Sequence, residues 1–302
     1  MSDHHFCYKN PPSKEIIQAV DFTHNAWTYH CTRRSPAYIP PQPTTEALDY
    51  ADLPIIDLSR VRSTPEAFQE LAAEVQSAMH TERIFDIADV PFTQVPDNEK
   101  KAYDARSHET GFIDGYKLRQ YWEESETNWS IITVLYHHAL VISLGTETMI
   151  VNKNTSRRNH PEAIRPFIPE VEAFCRHNHF NVIQPILRLL STGLELPENT
   201  LADMHDFSSD GESHARFMKY YPRSEEDEVK SSNLWLKGHT DIGSLTLLYS
   251  QPVAALQILG TDNKWRWVRH IENAIIINLG DALEFLSGGY YKATIHRVVH
   301  PR

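Results

Sequence analysis

Two kinds of periodicity divide the chain. From Ala215 onward, apolar residues gather in short runs separated by turn residues: "ARFMKYYP", "SLTLLYS", "ALQILG", "WRWVRHI", "NAIIINLG" and "KATIHRVV". Runs of this length, rich in β-branched and aromatic residues, predict short strands. A succession of them predicts a sandwich or jelly roll packed against a helical layer. Upstream the spacing changes to three and four residues. "TPEAFQELAAEVQSAMH", from Thr64 to His80, has Thr at an N-cap and Pro after it, which predicts an amphipathic helix. "PEAIRPFIPEVEAFCRHNHFNVIQPILRLLSTGLEL", from Pro161 to Leu196, predicts a second long helical stretch that its prolines start or kink. Before these, "LPIIDLSR" (Leu53 to Arg60) predicts a short buried strand, and the proline-rich "SPAYIPPQPTTEA" an extended arm.

A chain of 302 residues can bury a sizeable core, so one large domain or a domain with a helical extension is expected. An apolar share of 41% against 23% charged residues is that of an ordinary soluble globular protein. The net charge of −11 and the lack of any basic block argue against a nucleic-acid partner. Cys7, Cys31 and Cys175 are odd in number and form no CxxC pair. Neither a disulfide framework nor a zinc knuckle is expected, and a reducing, cytoplasmic setting fits. The first residues lack the apolar core of a signal peptide. The longest apolar stretch, Ile131 to Leu144, falls short of the roughly 20 residues a membrane span needs.

Candidate chemistry begins at "GHTDIGSLTLLY". His239 and Asp241 flank one residue, so on an extended chain both side chains point to one face. His296 lies in a later strand-like run, and a jelly roll can return the chain to bring it beside them. Two imidazoles and a carboxylate with the remaining positions open form the ligand set of non-haem Fe(II) oxygenases. Alone the pattern is weak, since 17 histidines offer many such combinations.

The pieces "LKGHTDIGSLTLLYSQPVAALQIL", "KWRWVRHIENAIIINLGDALEFLSGGYYKATIHRVV", "RFMKYYPR" and "LPIIDL" resemble, in order and spacing, the 2-oxoglutarate/Fe(II) dioxygenases of the isopenicillin N synthase-like superfamily, especially its fungal members. That resemblance implies an α+β fold with a double-stranded β-helix (jelly roll) core and flanking N-terminal helices. It implies His239, Asp241 and His296 as ligands of Fe(II), with 2-oxoglutarate and O2 as cosubstrates and no catalytic residue beyond the metal site. The reaction implied is hydroxylation, desaturation or ring modification of a small organic molecule of secondary metabolism. Tyr221, before Pro222, falls on the family's tyrosine that helps hold 2-oxoglutarate, while Lys219 stands where relatives have asparagine.

On this reading residues 1–52 form an N-terminal arm, 53–210 a helical N-terminal region, and 211–302 the jelly-roll core. The stretch 123–150 matches no part of the family pattern, and "SAMHTERIFDIADVPF" joins helices where relatives carry a further strand. Relatives also place an arginine on a strand after the last histidine, which Arg302 does not match. A C-terminally incomplete core is therefore expected. The alternative expectation is a catalytically impaired paralogue that keeps the metal triad but not the 2-oxoglutarate arginine.

Other conspicuous residues have plainer explanations. His137 and His138 are adjacent and His177 and His179 two apart, spacings that share no face. Trp235, Trp265 and Trp267 are expected in the core, and "SEEDEV" (Ser224 to Val229) as a solvated run. Arg297 should face away from His296, and Asp281 should be a turn residue after Gly280.

Overall fold

In a computed structural model the described residues are 16–20, 41–58, 81–104, 115–117, 131–137, 146–152, 159–209, 213–272 and 274–301. Their strands are β1 (Ile16–Val20), β2 (Ile55–Asp57), β3 (Gly115–Lys117), β4 (Ile131–His137), β5 (Thr146–Asn152), β6 (His214–Tyr220), β7 (Leu234–His239), β8 (Leu245–Tyr249), β9 (Leu256–Leu259), β10 (Trp265–Trp267), β11 (Ala274–Leu279) and β12 (His296–Val299). The larger sheet has eight strands in the order β2-β1-β11-β8-β4-β6-β5-β3, and the smaller has four in the order β10-β9-β12-β7. Pairing is antiparallel except between β1 and β2.

Three layers follow from which face each strand buries. Alternate residues of β6 divide between two cores: Ala215 and Phe217 pack with helix residues, whereas Met218 and Tyr220 pack with Trp235 of the smaller sheet. All six residues of β11 are buried, because this central strand is covered on both sides. The helical layer comprises Thr81–Thr93, Ile168–Asn178 and Gln184–Gly193, which contribute Ile84, Ile87, Phe174 and Leu187 to the core beneath the larger sheet. Tyr249 Oη donates to Asn178 Oδ1 at 2.5 Å and ties β8 to that layer.

Each apolar run expected after Ala215 contains a strand, and helical structure occupies Arg165–Gly193 within the predicted 161–196. Between its two α segments lies one π turn, His179–Ile183. The inserted residue lets His177 and His179 both turn inward, where His177 Nδ1 meets Asn181 Nδ2 at 3.0 Å. The helix expected over Thr64 to His80 lies outside the described residues. Four expectations need correction. "SAMHTERIFDIADVPF" is no connector, because Thr81–Thr93 is helical with Ile84, Ile87 and Ala88 buried at helical spacing. Residues 55–57 form a strand, but an outermost one, so Ile55 is 57% exposed. The arm 1–52 contributes β1 to the larger sheet, and the off-pattern stretch 123–150 contributes β4 and the start of β5. The run Ser224 to Val229 is not wholly solvated: it is a helix, Glu225–Lys230, capped by the Ser224 side chain, with Glu228 buried beneath the Trp235 Nε1–H at 2.7 Å.

Candidate metal centre

Adjacent antiparallel strands bring the two histidines together. His239 closes β7, His296 opens β12, and the two are direct register partners on one face, with ring centroids 4.3 Å apart. Asp241 sits in the turn that leads from β7 to β8, and that turn is held by the start of the helix Asp281–Leu286. Asp281 N–H donates to Asp241 O at 2.7 Å, Ala282 N–H to Ile242 O at 3.0 Å, and Gly280 N–H to Ser244 O at 3.0 Å. A Cβ at position 280 would lie 2.6 Å from Asp241 O, so only glycine permits this approach. The Gly280–Asp281 pair is thus a clamp on the ligand turn. Asp281 is a first-turn helix residue whose Oδ2 accepts from Thr240 Oγ1 at 3.1 Å.

Hydrogen bonds orient all three side chains. His239 Nδ1 lies 2.8 Å from Lys237 O, and His296 Nδ1 lies 3.0 Å from Thr294 O. A carbonyl oxygen only accepts, so each Nδ1 carries a proton and Nε2 is the ring nitrogen left to face the cluster. Burial, with His296 nearby, holds the His239 pKa below its ordinary value, which keeps that ring neutral. Asp241, 2% exposed, accepts at Oδ2 from Thr246 Oγ1 and from Asn278 Nδ2, both at 2.8 Å. Its Oδ1 then faces His239 Nε2 at 3.8 Å and His296 Nε2 at 3.7 Å.

Among the described residues, His239, Asp241 and His296 form a cluster that could hold a metal, their ligand atoms all within 4.8 Å of one another. The donor set fits a divalent ion. Buried His239 Nε2 has no hydrogen-bond partner, each Nδ1 is satisfied by backbone, and the carboxylate is oriented by two donors, as outer-shell partners orient metal ligands. Bonds of about 2.1 Å would set neighbouring ligand atoms roughly 3 Å apart, so a small side-chain adjustment closes the group on an ion.

The triad opens into a cavity of about 110 Å³ lined by residues of both sheets. Its walls are largely apolar, with Leu248, Ile276, Leu256 and Val298 among the lining residues, and its polar lining includes Arg216, Tyr220, Ser250 and His270. Ser250 Oγ and His270 Nδ1 are 2.8 Å apart. Sequence reasoning passed over Thr246, Asn278 and Arg216. For Thr246 and Asn278 the signal available was a lone polar residue inside an apolar run. Tyr221 is not among the lining residues; Tyr220 is. The strand alternation turns Tyr221 to the side where Lys219 Nζ meets Asp89 Oδ1 at 2.8 Å and lies 5.7 Å from the Tyr221 ring. As expected, Arg297 faces away from His296: its Nε donates to Gln257 Oε1 at 2.8 Å and its guanidinium covers Trp265. No helix among the described residues is long and apolar enough to cross a membrane.

Comparison with known proteins converges on the same region. Residues 212–302 match the family description "2OG-Fe(II) oxygenase superfamily". A 2-oxoglutarate-dependent dioxygenase of Gibberella zeae is 33% identical over 141 residues, 46% of this chain and 41% of that protein. The 2-oxoglutarate-dependent dioxygenase iboH of Amanita muscaria is 34% identical over 141 residues, 46% of this chain and 66% of that protein. The chain therefore spans less than two thirds of the length of these curated relatives. Among solved structures, JOX2 in complex with 2OG, Fe and JA shares the fold at a TM-score of 0.53 and 22% identity, over 89% of this chain and 77% of that one. The matched segment, residues 212–302, contains both histidines, the aspartate between them in the chain and the strands that hold them, and is similar to the 2OG-Fe(II) oxygenase superfamily.

Proposed function

We propose that the protein is an Fe(II)- and 2-oxoglutarate-dependent oxygenase acting on a small organic molecule, and that its facing sheets form the double-stranded β-helix of such enzymes. One observation carries the reading: three metal-ligating atoms converge beside a cavity while the far side of each ligand group is satisfied by hydrogen bonds. His239 Nε2, His296 Nε2 and Asp241 Oδ1 would hold the ion, leaving its other positions to ligands within the chamber. Ferrous iron, when bound, supplies the redox chemistry that couples oxidation of 2-oxoglutarate to succinate and CO2 with insertion of the second oxygen atom into the organic substrate.

The chain's own residues do the rest. Thr246 and Asn278 keep the carboxylate aimed at the imidazoles, so little reorganisation is needed on metal binding. The largely apolar walls favour a small organic molecule placed with one bond near the metal. Fe(II) and 2-oxoglutarate under argon should give a visible charge-transfer band and raise the melting temperature, and air should then yield succinate. His296→Ala should lose all three responses. A wild-type protein that binds no metal, or a His296→Ala variant that forms succinate at the wild-type rate, would refute the reading.

A further inference from the structure

A hydrogen-bonded pair of side chains stands on the cavity wall away from the metal group. Ser250 follows β8, His270 lies between β10 and β11, and both line the cavity that contains His239, Asp241 and His296. Ser250 Oγ and His270 Nδ1 are 2.8 Å apart. Among the described residues neither side chain makes a further hydrogen bond, so the second ring nitrogen, Nε2, is left for a ligand.

The run of β8 sets how far this pair lies from the metal. Thr246, which donates to Asp241, marks the metal end, and Ser250 comes four residues later in the chain. Four residues of extended strand cover roughly 13 Å along the wall. Between the two ends, Leu248 and its β11 register partner Ile276 line the cavity. From the smaller sheet, Leu256 and its β12 register partner Val298 do the same.

The pair offers the same chemistry whichever way its shared proton points. With Nδ1–H donating to Ser250, the hydroxyl keeps its own hydrogen as a donor and Nε2 accepts. With the hydroxyl donating to Nδ1, Nε2–H donates and Oγ accepts. One donor and one acceptor are presented together in either case. A carboxylate or an ether answers the donor alone, whereas a hydroxyl answers both. Burial holds the His270 pKa below its ordinary value, against the opposing pull of Glu272, and a neutral ring brings no charge to attract an anion. A ligand lacking the hydroxyl would leave the donor and the acceptor unpaired, and this is how such sites discriminate.

We propose that Ser250 and His270 form a subsite for an uncharged hydroxyl of the organic substrate, which then lies along the apolar wall with the bond to be oxidised beside the metal. The substrate class is a small, largely apolar alcohol. The proposal rests on the oxygenase reading for the event at the metal, but recognition of the hydroxyl belongs to the protein alone.

Ligand-observed NMR on the metal-free full chain titrates matched probes: 2-phenylethanol, propylbenzene with a methyl in place of the hydroxyl, and 3-phenylpropanoate with a carboxylate there. Ser250→Ala and His270→Phe should each weaken 2-phenylethanol by at least about fivefold while leaving propylbenzene within about twofold. Wild type should bind the carboxylate more weakly than the alcohol. Circular dichroism checks the fold, and if His270→Phe does not fold, Ser250→Ala decides. A wild-type protein that binds 2-phenylethanol no better than folded Ser250→Ala, or that prefers the carboxylate, overturns the proposal. With Mn(II) and saturating 2-oxoglutarate under argon, the alcohol should still bind, and its CH2–OH protons should relax more slowly than its ring protons. Displacement by 2-oxoglutarate, or the reverse order of relaxation, overturns the assignment to the organic substrate. Should wild type take up no divalent metal, the oxygenase reading fails separately and the metal-free titrations still decide the subsite.

Discussion

Replacing Thr246 by valine isolates the support of the metal carboxylate from the ligands themselves. The two side chains have nearly the same shape and both are β-branched, so β8 keeps its packing and strand preference. What disappears is one of the two donors, 2.8 Å from Asp241 Oδ2, at a site where Thr246 is 5% and Asp241 2% exposed. Water has poor access to replace it. A hydrogen bond to a charged acceptor contributes about 1.5–3 kcal/mol. Loss of an outer-shell partner typically weakens metal binding by roughly 10- to 100-fold, about 1.4–2.7 kcal/mol, so the two estimates agree. Competition against a chromogenic Fe(II) chelator under argon reads the affinity, and the melting temperature of the metal-free protein reads the fold. The expected result is a Kd raised about 10- to 100-fold with the fold retained. A folded Thr246→Val protein with an Fe(II) affinity within about twofold of wild type would show that the carboxylate needs no such support.

Two further perturbations test the surroundings. Gly280→Ala puts a Cβ 2.6 Å from Asp241 O with Gly243 backbone closer still, so the ligand turn must shift. A loss of about 1–3 kcal/mol in denaturant unfolding, together with weaker Fe(II) binding, is expected, and wild-type values for both would contradict the clamp. The pKa of Lys117 is lowered from 10.5 to about 8 by burial and by Arg216, so between those pH values the unfolded chain binds more protons than the folded one. The cost of the buried ammonium is therefore fully present below about pH 8 and is relieved as pH rises toward 10.5. Urea titrations should show wild type gaining stability relative to Lys117→Met across that window, and a constant difference would refute the shift.

How much was legible in the sequence depended on whether one pattern had one structural meaning. The C-terminal strands were legible because short apolar runs bounded by turn residues have few other solutions, and the cluster of His239, Asp241 and His296 because "HTD" directly precedes one such run and His296 lies in another, although the strand Leu234–His239 itself went unread. The supporting residues were not. Thr246 in "SLTLLYS" and Asn278 in "NAIIINLG" carry the right parity, yet a lone polar residue in a strand equally suits a solvent-facing position. Only the covering of β11 on both faces turns Asn278 inward. Tyr221 lies off the cavity lining for a related reason, since a one-residue slip exchanges the faces of a strand. The Lys219–Asp89 ion pair draws the odd-numbered residues of β6 toward the helices and leaves Arg216, Met218 and Tyr220 on the cavity side. Arginine is rarely buried, so nothing in "ARFMKYYP" marks Arg216 as an interior residue.

The stretch that resembled nothing in the family pattern bears directly on the chamber. β4 is hydrogen-bonded on both sides, to β8 along Val134–Tyr136 and to β6 along its whole length, so Ile131–His137 is an interior strand of the sheet. Without it, β6 and β8 would be neighbours about 4.8 Å apart, half the present separation. β4 therefore widens the wall opposite the smaller sheet and separates the strand of Arg216 from that of Thr246, whose hydroxyl donates to Asp241. Chamber width is thus set in part by a strand that lies outside residues 212–302, the segment the family description matches.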